Sequence, residues 1–246
     1  MDVRSPDRLI QAIPQEPLLP RPATASRVRL GAVSFAAAGL LFVLYPAIRP
    51  FSDEASLQGA TAFASPAWIL AHMLAMLGFT LLAVGLVGWY LSLQQSAVEH
   101  LAFRALVLSL LGIGLTLPFY GGEAFGLHAI GQEAIRQHNA ALVSMANVVR
   151  SGPGLVMFLV GLVLLAGGTI ILATAVWKSG AFPKWSGLPL AVGFALYIPQ
   201  FFGTQPIRVA HGLLVAAGCL WLAGRMWRQH TTWAGEDDRA SGRAKR

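Results

Sequence analysis

The amino-acid sequence predicts an all-α protein. It reads as a six-transmembrane-helix bundle with both termini cytoplasmic and an extracytoplasmic amphipathic helix between spans 3 and 4. Three observations predict this. Hydrophobic residues fill 55% of the 246 positions and charged residues only 12%, about half of the ~25% charge usual in soluble domains. Six apolar runs approach the ~20 residues that ~30 Å of hydrocarbon requires. Finally, 14 of the 18 Lys and Arg fall on one set of connections.

The spans are read, in order, as Arg29 to Ile48, Ala67 to Leu91, Leu101 to Tyr120, Gly154 to Trp177, Ser186 to Phe202 and Ile207 to Met226, the fifth being the shortest. Residues 1–28 hold Pro6, Pro14, Pro17, Pro20 and Pro22 among polar residues and arginines, a composition expected of a disordered tail. No apolar run precedes the first span, so no cleavable signal peptide is expected. The C-terminal stretch 227–246 reads as a second basic, disordered tail. These assignments divide the chain into a cytoplasmic tail (1–28), a membrane domain (29–226) and a basic tail (227–246).

Orientation follows from the cations. The N-terminal tail, Arg104, Lys178, Lys184 and the C-terminal end carry the majority, and only Arg49, Arg136, Arg150 and Arg208 fall on the other side. Positive charge retained in cytoplasmic segments places both termini inside, in a cell membrane. The formal charge of +7 is therefore read as orientation charge, with the lipid bilayer as partner and no nucleic acid. Cys219 is alone and deep in the sixth span, so it is read as a small packing residue.

The longest connection, Gly121 to Pro153, has its own period. Ile130, Ala134, Ile135, His138, Leu142, Met145 and Val149 recur at helical spacing opposite Gln132, Glu133, Arg136, Gln137 and Asn147, which predicts one amphipathic helix on the outer surface or capping the bundle. The hairpins also echo one another. Leu44-Tyr45-Pro46 followed by Ala71-His72-Met73-Leu74 resembles Leu196-Tyr197-Ile198-Pro199 followed by Ala210-His211-Gly212-Leu213. Both hairpins run in the same sense, so a duplication would be parallel. Chance is the rival reading, because Pro at helix starts and Tyr in an outer aromatic belt with Trp68 occur for their own reasons. Glycines spread through the spans are read as small residues that let helices approach closely.

The polar residues that enter the spans collect at the outer end. His72 lies six residues in from Pro66 and His211 five in from Pro206, about 9 Å and 7 to 8 Å deep at 1.5 Å per residue. An ionisable group inside a membrane is by default a functional candidate. His72, His211 and Glu123 are the candidates for catalysis, and also for holding a divalent metal such as Zn2+; His128, Arg208 and Gln200 are ligand-binding candidates. Two facing histidines would suit a haem iron, and a protonated glutamic acid beside a neutral histidine an acid–base pair. Against these stand plainer readings: interhelical hydrogen bonds for the two histidines, and for Arg208 a reach to lipid phosphates. Glu123 and His128 share a face only if the helix is broken near Gly121, Gly122 or Gly126.

The layout, with its AHxL spans and the run Gly180-Ala181-Phe182-Pro183-Lys184-Trp185-Ser186-Gly187, resembles uncharacterised multi-pass membrane proteins of high-GC bacteria over Arg29 to Met226. That resemblance implies a bacterial inner-membrane protein and no particular activity. Three functions remain open. One is a membrane protein with an outward-facing polar pocket for a small molecule or lipid; the second is an intramembrane enzyme or a haem or quinone redox protein; the third is a transport, sensory or accessory subunit. The inner half of the spans has little polarity beyond Thr80, Ser109, Thr169 and Thr174, which disfavours a path through a single chain and leaves a homo-oligomeric pore open.

Overall fold

A computed structural model describes residues 22–244, with side chains over 24–229; most of the predicted N-terminal tail lies outside the described residues. Nine α-helices occur among the described residues: α1 (Pro22–Ile48), α2 (Leu57–Ala64), α3 (Pro66–Leu91), α4 (Glu99–Gly121), α5 (Leu127–Arg136), α6 (Met145–Val149), α7 (Gly152–Ser179), α8 (Leu188–Ala195) and α9 (Gln205–Ala244). No strand occurs among them. Five helical stretches are long and apolar enough to cross a membrane: Thr24–Ile48, Pro66–Leu91, Glu99–Arg136, Gly152–Ser179 and Gln205–Gln229. The chain is a multi-pass helical membrane protein.

The fifth predicted span takes a different form. Residues 186–202 hold α8, a turn at Leu196–Ile198 and a 3-10 turn at Pro199–Phe202. α8 ends at Ala195, and Pro199, four residues on, supplies no N–H for the Ala195 carbonyl, so the α-helical ladder is interrupted there. The tighter 3-10 winding rises ~2 Å per residue, which lengthens the reach of a short segment.

The long elements close into a ring in chain order. α1 packs on α3, α3 on α4, α4 on α7, α7 on α8, α8 on α9, and α9 returns to α1. Close approach depends on glycine at particular points. A Cβ on Gly31 of α1 would stand 2.6 Å from the Cα of Gly88 on α3, and one on Gly112 of α4 would stand 2.7 Å from the Leu165 backbone nitrogen on α7. Lipid gives helices no hydrophobic reason to associate, so such backbone contact supplies the packing.

Phe79 occupies the middle of the ring. Its ring centre is 5.0 Å from Phe42 of α1, 5.4 Å from Tyr120 of α4 and 5.7 Å from Tyr197 beyond α8. Tyr45, Tyr120, Tyr197 and Trp68, predicted for a lipid-facing belt, turn inward instead. Trp68 is fully buried, and the Tyr120 and Tyr197 hydroxyls hydrogen-bond each other at 2.7 Å, which gives each polar tip a partner inside the apolar core. Cys219 is buried in the same core.

One end of the bundle carries a cap. α2 packs against α5, and Ala60, Phe63, Trp68, Leu127, Ala134, Val143 and Ala146 form a second, smaller core there. The single amphipathic helix predicted over Ile130 to Val149 is three pieces. Its first part continues the third span through a π-helical turn at Gly122–Gly126 into α5; after α5 come a 3-10 turn at Ala140–Ser144 and α6. The break falls where His138 adopts φ 49 and Asn139 caps the next turn by accepting from the Ala141 N–H. A residue in the left-handed region ends a helical run, and a free Asn side chain starts a new one. Ile135, His138 and Met145 are consequently exposed rather than on a common buried face.

Candidate functional site

The capped end contains a cavity of about 480 Å³, within the size range of small-molecule sites. Its polar lining comes from distant parts of the chain: Tyr45 and Arg49 from the end of α1, Asp53 and Glu54 from the following loop, Glu123 from the π-turn, Arg150 before α7 and Arg208 from α9. Phenylalanine and leucine side chains complete the wall.

The loop after α1 is built around Glu54. Arg49, 7% exposed, donates from Nη2 to Glu54 Oε1 at 2.6 Å. Arg150 donates from Nη1 to Glu54 Oε2, also at 2.6 Å. Glu54 itself has φ 54, a conformation that costs a non-glycine residue about 1–2 kcal/mol; the two charge-assisted hydrogen bonds and the close-packed backbone of Gly59 hold it there. Burial raises the Glu54 carboxyl pKa, but Arg49 and Arg150 outweigh it, so the group lies below the ordinary glutamate range. Burial likewise opposes the Arg150 charge, yet Glu123 and Glu54 press the guanidinium above its ordinary value. Asp53 is turned to local duty. It accepts from the Ala55 and Ser56 N–H groups and the Ser56 hydroxyl, which lower its carboxyl.

Glu123 owes its position to the π-turn, where the helix ladder widens by one residue. Such turns interrupt α-helices most often at functional sites. Glu123 is 8% exposed and receives both Nε and Nη2 of Arg150, at 2.5 and 2.9 Å, as a bidentate pair. Trp68 Nε1 donates to the Glu123 carbonyl at 2.7 Å. His72, 1% exposed, stands behind it with Nε2 3.7 Å from Glu123 Oε2 and Nδ1 2.7 Å from the Trp68 carbonyl. A carbonyl can only accept, so Nδ1 carries the hydrogen. Nε2 is then an acceptor in the neutral ring, facing a carboxylate beyond hydrogen-bond length. One proton added to this pair would supply a donor between the two atoms, which would hydrogen-bond only on a closer approach.

The result is a continuous ionic chain, Arg49–Glu54–Arg150–Glu123, with the His72 ring standing at its end. It ties α1, the loop, the π-turn, the start of α7 and α3 together.

His211 does not join it. Its Nε2 donates to the Gly193 carbonyl of α8 at 2.7 Å, and its ring lies edge-on to Tyr197 at 5.2 Å. His72 makes the same kind of edge contact with Tyr45 at 5.4 Å. The two His/Tyr pairs meet through Tyr120, which contacts the Tyr45 ring at 5.7 Å and bonds the Tyr197 hydroxyl. Three tyrosines thus stand between histidines that were predicted to face each other. The metal trio His72, His211 and Glu123 is not assembled, and among the described residues no group of three His, Cys, Asp or Glu could hold a metal ion. Nor do the two imidazoles face a common iron, since Tyr45, Tyr120 and Tyr197 stand between them.

His128 donates from Nδ1 to the Phe63 carbonyl, 2.9 Å away, and so joins α5 to α2 rather than to Glu123. Gln200 is buried in the 3-10 turn and is not part of the cavity lining. Arg208 is part of it.

Sequence reasoning missed Arg49, Glu54, Arg150 and the tyrosines. A usable signal existed: Arg49, Arg150 and Arg208 are three of the four cations on the side the positive-inside bias leaves sparse. All three line the cavity.

Fold and site together are those of a multi-pass helical membrane protein with a charged cavity at one end. Comparison of the chain with protein-family models, with curated proteins and with solved structures finds no match.

Proposed function

We propose that the chain crosses a bacterial cell membrane six times, with both termini cytoplasmic and the capped end outside, and that the cavity there binds a small molecule or lipid. One observation carries this reading: charged residues spread along the chain from Arg49 to Arg208 converge on one cavity of about 480 Å³. Charge in a membrane domain is costly, so a cluster of this size at one depth points to a site. The role that fits is ligand binding, sensing or service as an accessory subunit.

Ligand binding is tested by screening small molecules and lipids for a saturable rise in the unfolding temperature of the purified chain. A variant that fills the cavity, Leu159→Trp, should abolish the rise. A rise that persists in this variant would move the binding elsewhere.

An acid–base role for Glu123 and His72 is the second reading, favoured by the 3.7 Å approach of His72 Nε2 to the carboxylate. Glu123→Gln would then abolish turnover of a candidate substrate while leaving its binding intact.

A further inference from the structure

The three cavity arginines differ in their counter-charges. Arg49 is paired with Glu54, and Arg150 with Glu54 and Glu123. Arg208 has no carboxylate within ion-pair distance among the described residues. Its Nε donates to the Gly203 carbonyl at 3.1 Å and its Nη2 to the Phe201 carbonyl at 2.6 Å. These bonds hold the guanidinium in place, and no hydrogen bond of Nη1 occurs among the described residues. Cζ lies 5.1 Å from the Phe51 ring centre, a ring that Arg49 also approaches at 4.9 Å. Asp53 borders the cavity, but its oxygens serve Ala55 and Ser56.

Two neighbouring guanidiniums on one ring, only one of them neutralised, leave a fixed site for a negative charge. An arginine held this way presents a planar set of donors that suits carboxylate or phosphate. The rest of the wall is apolar: Phe119, Leu155, Phe158, Leu159, Ile198 and Phe202. Phe202 is 90% exposed and Leu159 is exposed too, so this wall reaches the outer surface of the bundle, which faces lipid in the proposed orientation.

We infer that Arg208 is an anion subsite and that the ligand is an amphiphile: a single oxyanion head, carboxylate or phosphate, on an apolar chain, entering from the outer leaflet. This inference rests on the reading of the cavity as a ligand site. The head lies at Arg208, and the chain lies along the Leu155, Phe158, Leu159 and Phe202 wall.

The test uses the full chain in a neutral maltoside detergent, with thermal unfolding followed against laurate, dodecyl phosphate, dodecanol and inorganic phosphate. Laurate and dodecyl phosphate should both raise the unfolding temperature saturably; inorganic phosphate should not, and dodecanol should act far more weakly. Arg208→Gln should weaken the apparent affinity for both anions by about 10- to 100-fold, the scale of a lost hydrogen bond to a charged group. Arg208→Lys keeps a charge and should retain part of the affinity, which separates loss of binding from loss of folding. Arg136→Gln removes an external charge outside the cavity and should change nothing. Equal shifts by dodecanol and laurate in both wild type and Arg208→Gln would overturn the anion subsite while leaving the cavity reading in place. An effect of inorganic phosphate equal to that of dodecyl phosphate would overturn the amphiphile. No shift by any amphiphile, dodecanol included, would remove the cavity reading together with the inference.

Discussion

Removing Arg150 strips Glu123 of its arginine and leaves Glu54 to Arg49. Breaking a fully buried pair costs ~3–5 kcal/mol, and Arg150 is 26% exposed, so Arg150→Ala is expected to cost roughly 2–3 kcal/mol, read as a lowered unfolding temperature in detergent. Glu54 adds a pH dependence of known sign. Its folded carboxyl lies below its unfolded value, so its contribution is fully present above the unfolded value and is lost as pH falls through the folded one. Proteolysis of the loop at 50–56 should therefore rise below about pH 4, and Glu54→Gln should flatten that rise. Phe79→Ala removes the ring at the centre of the bundle and is expected to cost about 3–5 kcal/mol in the same unfolding measurement. None of these partnerships is written in local spacing. His72 was identifiable as a buried polar residue in an apolar run, but its neighbour Glu123 is 51 positions away and their approach depends on how α3 meets the π-turn.

Helices differ in how far their own residues specify them. α3 begins where Ser65 accepts from the Trp68 N–H and Pro66 takes the first turn, both legible as start signals. The π-turn was only partly legible: Gly121, Gly122 and Gly126 marked a place where the helix could depart from α geometry, and the departure is a widened turn rather than a break. Deleting Ala124 should restore α-helical winding, leave the residues beyond it in phase and remove the widened turn that places Glu123. The expected result is loss of the Glu123–Arg150 pair, seen as a lowered unfolding temperature in detergent. At the α1–α3 contact, Gly31→Leu or Gly88→Leu would force apart backbones that meet without side chains, at about 1–3 kcal/mol each. The amphipathic pattern over 130–149 misled because a 3.6-residue period persists across a turn when both flanking pieces pack against one core. Hydropathy records which residues are apolar and does not register the left-handed residue between them.

For the whole molecule, the proposed orientation makes a direct prediction. In a Cys219→Ala background, a cysteine placed at Ser52 should react with a membrane-impermeant maleimide in intact cells, whereas one at Gln95 should react only after lysis. The reverse pattern would invert the protein. Membrane class and the long helical stretches were legible because burial in hydrocarbon is a one-dimensional requirement: each crossing needs its own run of apolar residues, whatever its neighbours do. The side on which cations accumulate is legible for the same reason. Which cations meet which carboxylates is a different kind of quantity. Arg150 reaches Glu54 across 96 positions and Trp68 reaches Glu123 across 55, and both depend on the order in which the helices close their ring. The sequence by itself determined a multi-pass helical protein with its polar residues gathered near one end; only the tertiary structure separated His211 from His72 with three tyrosines, brought His72 beside Glu123 and Arg150, and left Arg208 facing a cavity with no ion-pair partner among the described residues. Hydrophobic transfer acts residue by residue, whereas ion pairing at 3 Å acts between chain segments that packing alone brings together.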